Sequence, residues 1–139
     1  MQLEIITPEK IIYQGDIDGL VINTADGEIA ILPHHINLFS KIIPGEVTIK
    51  INNKEQFMAI TGGFLEVSNN KVSILADYAV RAEEIEVEKA IAAQKRAEEI
   101  IKKQKEGISE QDFAAAQGDL RRAILELNIA KRRHHSRPQ

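Results

Sequence analysis

The residues with the greatest chemical reach are His34 and His35, side by side after Pro33 in the stretch ILPHHINL. Imidazoles ligate metals and carry protons near neutral pH. Neighbouring residues on a strand point to opposite faces, so both rings reach one ion only where the backbone is irregular. Pro33 supplies irregularity, yet the sequence sets no third ligand beside them and contains no cysteine. The pair therefore reads as turn histidines making ordinary hydrogen bonds, and no metal site is expected. His134 and His135, inside KRRHHSRPQ, read as a solvated tail.

Other catalytic constellations are missing. No glycine precedes a lysine, which excludes a GxxxxGK[ST] phosphate loop, and GxGxxG, GxSxG and HExxH are absent too. The serines lack a nucleophile-elbow context and the carboxylates are scattered, so the chain reads as a non-enzyme. The remaining feature is basic: Arg121, Arg122, Lys131, Arg132, Arg133 and Arg137. Without interleaved aromatics this does not read as a nucleic-acid surface. It reads either as a solvated helix face or as a cationic helix end that seeks an acidic protein surface.

Two kinds of element must position these groups. Up to about Ala76 the chain is a series of short β-branched runs, LEII, KIIYQG, DGLVINT, EIAILP, EVTIKI, EQFMAI, GFLEV and KVSILA, which predicts a β-sandwich or barrel. Asp26-Gly27, Asn52-Asn53 and Asn69-Asn70 lie between runs, where Asn and Gly tolerate positive φ. Past Ala82 the period lengthens. Ala90, Ala93, Ala97 and Ile100/Ile101 recur at three- and four-residue spacing, a helix with an alanine-rich seam that Gly107 ends. Ser109 to Asp112 resembles a capping box, and Phe113, Ala116, Leu120, Ala123/Ile124, Leu127 and Ala130 stripe a second helix. The short link makes the two antiparallel.

These periods define an α+β chain, with a boundary expected between residues 1–84 and 85–139. Alanine seams bury little area, so the hairpin reads either as a detachable low-stability unit or as a fixed lid. Charge divides along the same line: residues 1–85 carry six Lys/Arg against twelve Asp/Glu, and 86–139 carry twelve against nine. The two parts suit partners of opposite sign. No window approaches the ~18 apolar residues of a spanning helix, so no direct membrane insertion is expected.

Three segments carry a resemblance to a known family. Gly27-Glu28-Ile29-Ala30-Ile31-Leu32-Pro33-His34-His35 resembles the G-E-L-G-I-L-P-G-H segment of the epsilon subunits of F-type ATP synthases. Thr61-Gly62-Gly63-Phe64-Leu65-Glu66-Val67 and Val72-Ser73-Ile74-Leu75-Ala76-Asp77 are similar to that family's S-G-G-F/I-L-E-V and V-T-V/I-L-A-D, in the same order. The resemblance implies an antiparallel β-sandwich of about ten strands followed by a two-helix hairpin. It implies a non-catalytic rotor subunit that binds the gamma subunit and the c-ring, couples proton-driven rotation to ATP synthesis, and inhibits ATP hydrolysis through its hairpin. The location implied is peripheral, on the cytoplasmic face of a bacterial cell membrane.

Site residues follow by position. Asp26, Gly27, Glu28 and His35 match the region that faces the c-ring; Arg121, Arg122, Lys131, Arg132 and Arg133 match the basic residues that meet the alpha and beta subunits of the catalytic head. Some members bind ATP through an Ile/Leu-Asp-x-x-Arg-Ala motif, for which this chain has Ile85, Glu86, Lys89 and Ala90, with Arg96 and Arg122 at further matching positions. Glu for Asp, Lys for Arg and Ala115 for an expected Arg imply weak ATP binding or none, and no other cofactor. An ATP-sensing protein is the alternative. The family's second glycine is Ala30 here and the glycine before the histidine is His34, which makes φ at position 34 a structural question.

Overall fold

A computed structural model describes residues 1–135. Arg137 and the side chains of His134 and His135, expected as a solvated tail, lie outside the described residues. The chain divides into two compact units, Met1–Ala82 and Glu83–Gln139.

The first unit contains ten strands: β1 (Gln2–Ile6), β2 (Ile11–Asp16), β3 (Gly19–Thr24), β4 (Gly27–Ile31), β5 (Leu38–Ile42), β6 (Gly45–Ile51), β7 (Lys54–Ile60), β8 (Gly63–Ser68), β9 (Lys71–Ala76) and β10 (Ala79–Arg81). They form one hydrogen-bonded path, β10-β7-β6-β3-β5-β8-β9-β1-β2, with β4 paired to β3. Alternation drives the folding of this path on itself: Leu3, Ile5, Leu20, Ile22, Val47, Ile49, Leu65, Val67, Val72 and Ile74 all point to one buried core. The pairings are antiparallel except that of β1 with β9, which is parallel. The two ends of the path meet, since the Arg81 guanidinium on β10 lies 5.9 Å from the centre of the Tyr13 ring on β2. The ten-stranded sandwich is thus close to a closed barrel.

Turn chemistry sets the registers. Asn52 and Asn53 (φ 50° and 63°) and Asn69 and Asn70 (φ 51° and 61°) are the paired left-handed residues of two-residue hairpins. Their positive φ is what the Asn-Asn pairs predict. The β3–β4 turn uses Ala25-Asp26 and then Gly27 at φ 112°. Gly63 is constrained differently: at φ 141° an added Cβ would sit on the Leu75 carbonyl of the neighbouring strand.

Two strands were not visible as runs. In β5 the pattern is inverted, with Phe39 exposed and Ser40 buried, and β10 has only three residues.

The second unit is a helical hairpin of α1 (Val87–Lys102) and α2 (Glu110–His135). A 3-10 turn at Lys103–Glu106 tightens the end of α1, and Gly107 closes it at φ 90°. The Asp112 amide donates to Ser109 Oγ at 3.1 Å, the N-cap half of the expected box. Ala90, Ala97, Ala116 and Ala123 are buried, so the seam is alanine-lined as the spacing predicts. Ile100 and Ile124, read as part of the seam, are exposed instead.

Candidate functional site: docking faces and an interhelical cleft

The outer face of the sandwich carries an apolar platform. Register places Ile6, Leu75, Phe64 and Lys41 in one row across β1, β9, β8 and β5, all on the side away from the core. Phe39, from the next row, stacks on Phe64 with ring centroids 5.8 Å apart and planes at 17°. Phe39, Phe64 and Leu75 remain 67%, 48% and 57% exposed. An antiparallel sheet with one face in the core normally turns polar residues outward, so stacked aromatics on the wet side mark a surface built to be covered. Glu4, Glu66 and Ser73 give it a polar border.

One end of that face is the β3–β4 turn. Thr24 Oγ1 donates to the Gly27 carbonyl at 2.8 Å and accepts from the Asp26 amide at 3.2 Å, while the Ala25 amide donates to the Lys41 carbonyl at 2.9 Å. Ser40 Oγ reaches Asp26 Oδ2 at 3.5 Å. Thr24 and Ser40 are buried polar residues, so the tip is anchored to the interior and its two carboxylates, Asp26 and Glu28, stand in solvent.

His35 is not part of this tip. It follows the other end of β4, and the four steps from Gly27 to Ile31 alone span about 13 Å. The ring-facing set read from the sequence therefore divides: the structure brings Asp26, Gly27 and Glu28 together and leaves His35 apart. The His35 ring is committed locally, Nδ1 donating to the Ile36 carbonyl at 2.7 Å. The neighbouring His34 is exposed and adopts φ 68°. No group of three His, Cys, Asp or Glu suited to a metal occurs among the described residues.

In the hairpin, α1 and α2 leave a cleft of ≈ 490 Å³. Of the six residues matched to an ATP motif, Lys89, Ala90, Arg96 and Arg122 line it; Ile85 and Glu86 do not. Ile85 is buried, and Glu86 is the N-cap residue of α1, its carboxylate 2.8 Å from the Lys89 ammonium. That hydrogen bond raises the Lys89 pKa. Sequence reasoning missed the cleft's two acids, Asp119 and Glu126. Glu126 accepts from Arg122 Nε at 3.0 Å and is only 9% exposed. The signal was present as an Arg-Glu pair at i,i+4 on one helix face.

The basic set divides in the same way. Arg122, itself 46% exposed at the side chain, lines the cleft; Arg121, Lys131 and Arg132 are exposed and do not line it, and Arg133 is half-buried. Arg121 and Arg132, eleven residues apart, return to nearly the same helix face.

Comparison with known proteins covers both units. Residues 1–82 match the family model of the ATP synthase delta/epsilon chain beta-sandwich domain, and 83–131 that of its long alpha-helix domain. The chain is 41% identical over 137 residues to an ATP synthase epsilon chain of Dehalococcoides mccartyi, with 97% of this chain and 96% of that one covered. It is 37% identical over 132 residues to the corresponding chain of Pediococcus pentosaceus, covering 94% and 95%. Among solved structures it superposes, with a TM-score of 0.71 and 25% identity, on a chain of the Euglena gracilis mitochondrial ATP synthase OSCP/F1/c-ring assembly, covering 93% of this chain and 79% of that chain.

Proposed function

The chain belongs to the ATP synthase delta/epsilon chain family, and on that premise we propose that its sandwich docks on the gamma subunit and the c-ring while its hairpin restrains ATP hydrolysis in the catalytic head. Family membership makes it a non-catalytic component of the enzyme's stalk. The Phe39–Phe64–Leu75 platform supports gamma docking, because exposed aromatics clustered on an outer sheet face and bordered by polar residues have the make-up of a protein interface core. The ring-facing role goes to the Asp26–Glu28 tip, which offers fixed negative charge to basic polar loops. Arg121, Lys131, Arg132 and Arg133 offer the opposite sign to acidic segments of the alpha and beta subunits.

Hydrolysis restraint rests on one observation: the hairpin is a compact unit of its own whose helices bury mostly alanine, with Ile129 the one large apolar side chain of α1 and α2 that is fully buried among the described residues. Alanine contributes little burial per residue at ~25 cal/mol per Å², so such a unit opens at modest cost and is free to engage another surface. No described helix is long and apolar enough to cross a membrane. The protein is then held peripherally, through the c-ring, at the cytoplasmic face of a bacterial membrane.

The experiment is a chain ending at Ala82, assembled with the remaining subunits. It is expected to co-purify with gamma and the ring and to raise the hydrolysis rate. Lost assembly together with unchanged hydrolysis in the isolated head overturns this division of labour. A nucleotide-sensing role has in its favour that Lys89, Ala90, Arg96 and Arg122 share one cleft. Saturable micromolar ATP binding, lost in Arg96→Ala, is the calorimetric result that would establish it.

A further inference from the structure

The interhelical cleft has the ingredients of a phosphate site and a reason not to act as one. Its floor is alanine, Ala90, Ala93, Ala97 and Ala123, which leaves room, and Lys89, Arg96 and Arg122 bring three cations to its walls. Guanidinium and ammonium groups that converge on a small-residue floor suit a polyphosphate. Two of the three are already engaged: Lys89 with Glu86 at 2.8 Å, and Arg122 with Glu126 at 3.0 Å. The second engagement matters more. The Glu126 side chain is 12% exposed against 62% for Glu86, so its charge lies inside the cleft rather than in water. A phosphate that approached Arg122 would meet that carboxylate in a poorly solvated place, where like charges repel far more than in bulk water.

We propose that Glu126, the buried one of the cleft's two acids where Asp119 is exposed, is its resident anion: it neutralises Arg122 from within and closes the hairpin to nucleoside triphosphates and other polyphosphates. A ligand stabilises a folded unit only if it binds that unit, so the stability of this hairpin is independent of ATP concentration. Glu126 thereby sets the specificity of the cleft, and Arg96 and Arg122, which both line it, are the guanidinium groups that respond when its charge is removed. The inference concerns the cleft alone and does not depend on hydrolysis restraint.

The test is calorimetric titration of the full chain with ATP and, separately, inorganic tripolyphosphate, alongside thermal unfolding followed by helical circular dichroism. The wild-type chain is expected to bind neither probe at millimolar concentration, and its hairpin transition to be unmoved by ATP. Glu126→Gln keeps the size of the side chain and an acceptor for Arg122 while removing the charge. It is expected to bind both probes at least about tenfold more tightly than wild type, with an ATP-dependent rise in the hairpin transition. Adding both Arg96→Gln and Arg122→Gln to Glu126→Gln is expected to cancel the gain. Sub-millimolar binding by the wild-type chain overturns the proposal, as does a Glu126→Gln variant no tighter than wild type. So does a gain that survives Arg96→Gln and Arg122→Gln together. If Glu126→Ala loses its helical signal, Glu126→Gln, which keeps the shape, carries the test.

Discussion

The amide of His34 donates to the Asn70 side-chain carbonyl at 2.8 Å, and His34 holds φ 68° to do so. Thirty-six residues separate the partners, and a second tie, from the Asn69 amide to Asn37 Oδ1 at 3.4 Å, runs between the same two loops. The His34 ring takes no part in the first bond; the backbone does. Position 34 is the departure from the resembled glycine, so the left-handed conformation is kept here by a residue with a Cβ.

His34→Gly is therefore expected to leave the sandwich as stable as before or up to about 1 kcal/mol more stable, because the steric cost of φ 68° disappears. Asn70→Gly retains the hairpin conformation and deletes the acceptor; a loss of about 0.5–1.5 kcal/mol is expected. Urea unfolding of both variants measures the pair. Destabilisation by His34→Gly larger than that by Asn70→Gly would show that the imidazole, not the backbone, matters at this position.

Gly63 and Gly27 both have positive φ, 141° and 112°, but only Gly63 is hemmed in. A Cβ at position 63 meets the Leu75 backbone, which cannot move without breaking the β8–β9 ladder, whereas nothing lies within 4 Å of one at position 27. Gly63→Ala is expected to cost on the order of 3 kcal/mol or more, and Gly27→Ala about 1 kcal/mol from backbone conformation alone. Equal losses in thermal unfolding would remove the steric argument.

What could be read in advance follows from where physical signals are local. Runs such as EVTIKI show their burial by alternation, and Asn-Asn pairs show their turns by φ tolerance, so most strands and hairpins were legible. The antiparallel helix pair followed from the spacing of alanines and Gly107. The platform was not legible, because Phe39 and Phe64 look like core residues; only the register of β5 on β8 turns them outward. The tip and His35 adjoin one short sequence motif yet lie at opposite ends of β4, since strand rise, not sequence proximity, sets their separation. In the sequence Glu126 is one carboxylate among many, and only the packing of α2 on α1 encloses it.

The platform predicts a separation of stability from assembly. Phe39→Asp and Phe64→Asp alter exposed rings whose loss costs at most about 0.5–1.5 kcal/mol of stacking. Desolvating an unpaired carboxylate under a partner costs considerably more. Each variant is expected to fold, with a thermal transition close to that of the parent, and to fail to co-purify with gamma. Co-purification at parental yield by the double variant would move the docking surface elsewhere.

The hairpin can be loosened and firmed at two sites chosen for opposite reasons. Ala97 is 2% exposed in the seam, so Ala97→Leu forces α1 and α2 apart and is expected to destabilise the hairpin by about 1–3 kcal/mol. Gly118 lies inside α2, and nothing is within 4 Å of an added Cβ, so Gly118→Ala is expected to stabilise it by about 0.5–1 kcal/mol. Helical circular dichroism reads both shifts, while the sandwich transition stays in place, because neither residue belongs to the first unit. In the assembled enzyme the two variants are expected to shift the hydrolysis rate in opposite directions, since the balance between packed and released hairpin is what they change. Parallel shifts in hydrolysis, or none, with the stability changes confirmed, would disconnect hairpin packing from the restraint of the catalytic head.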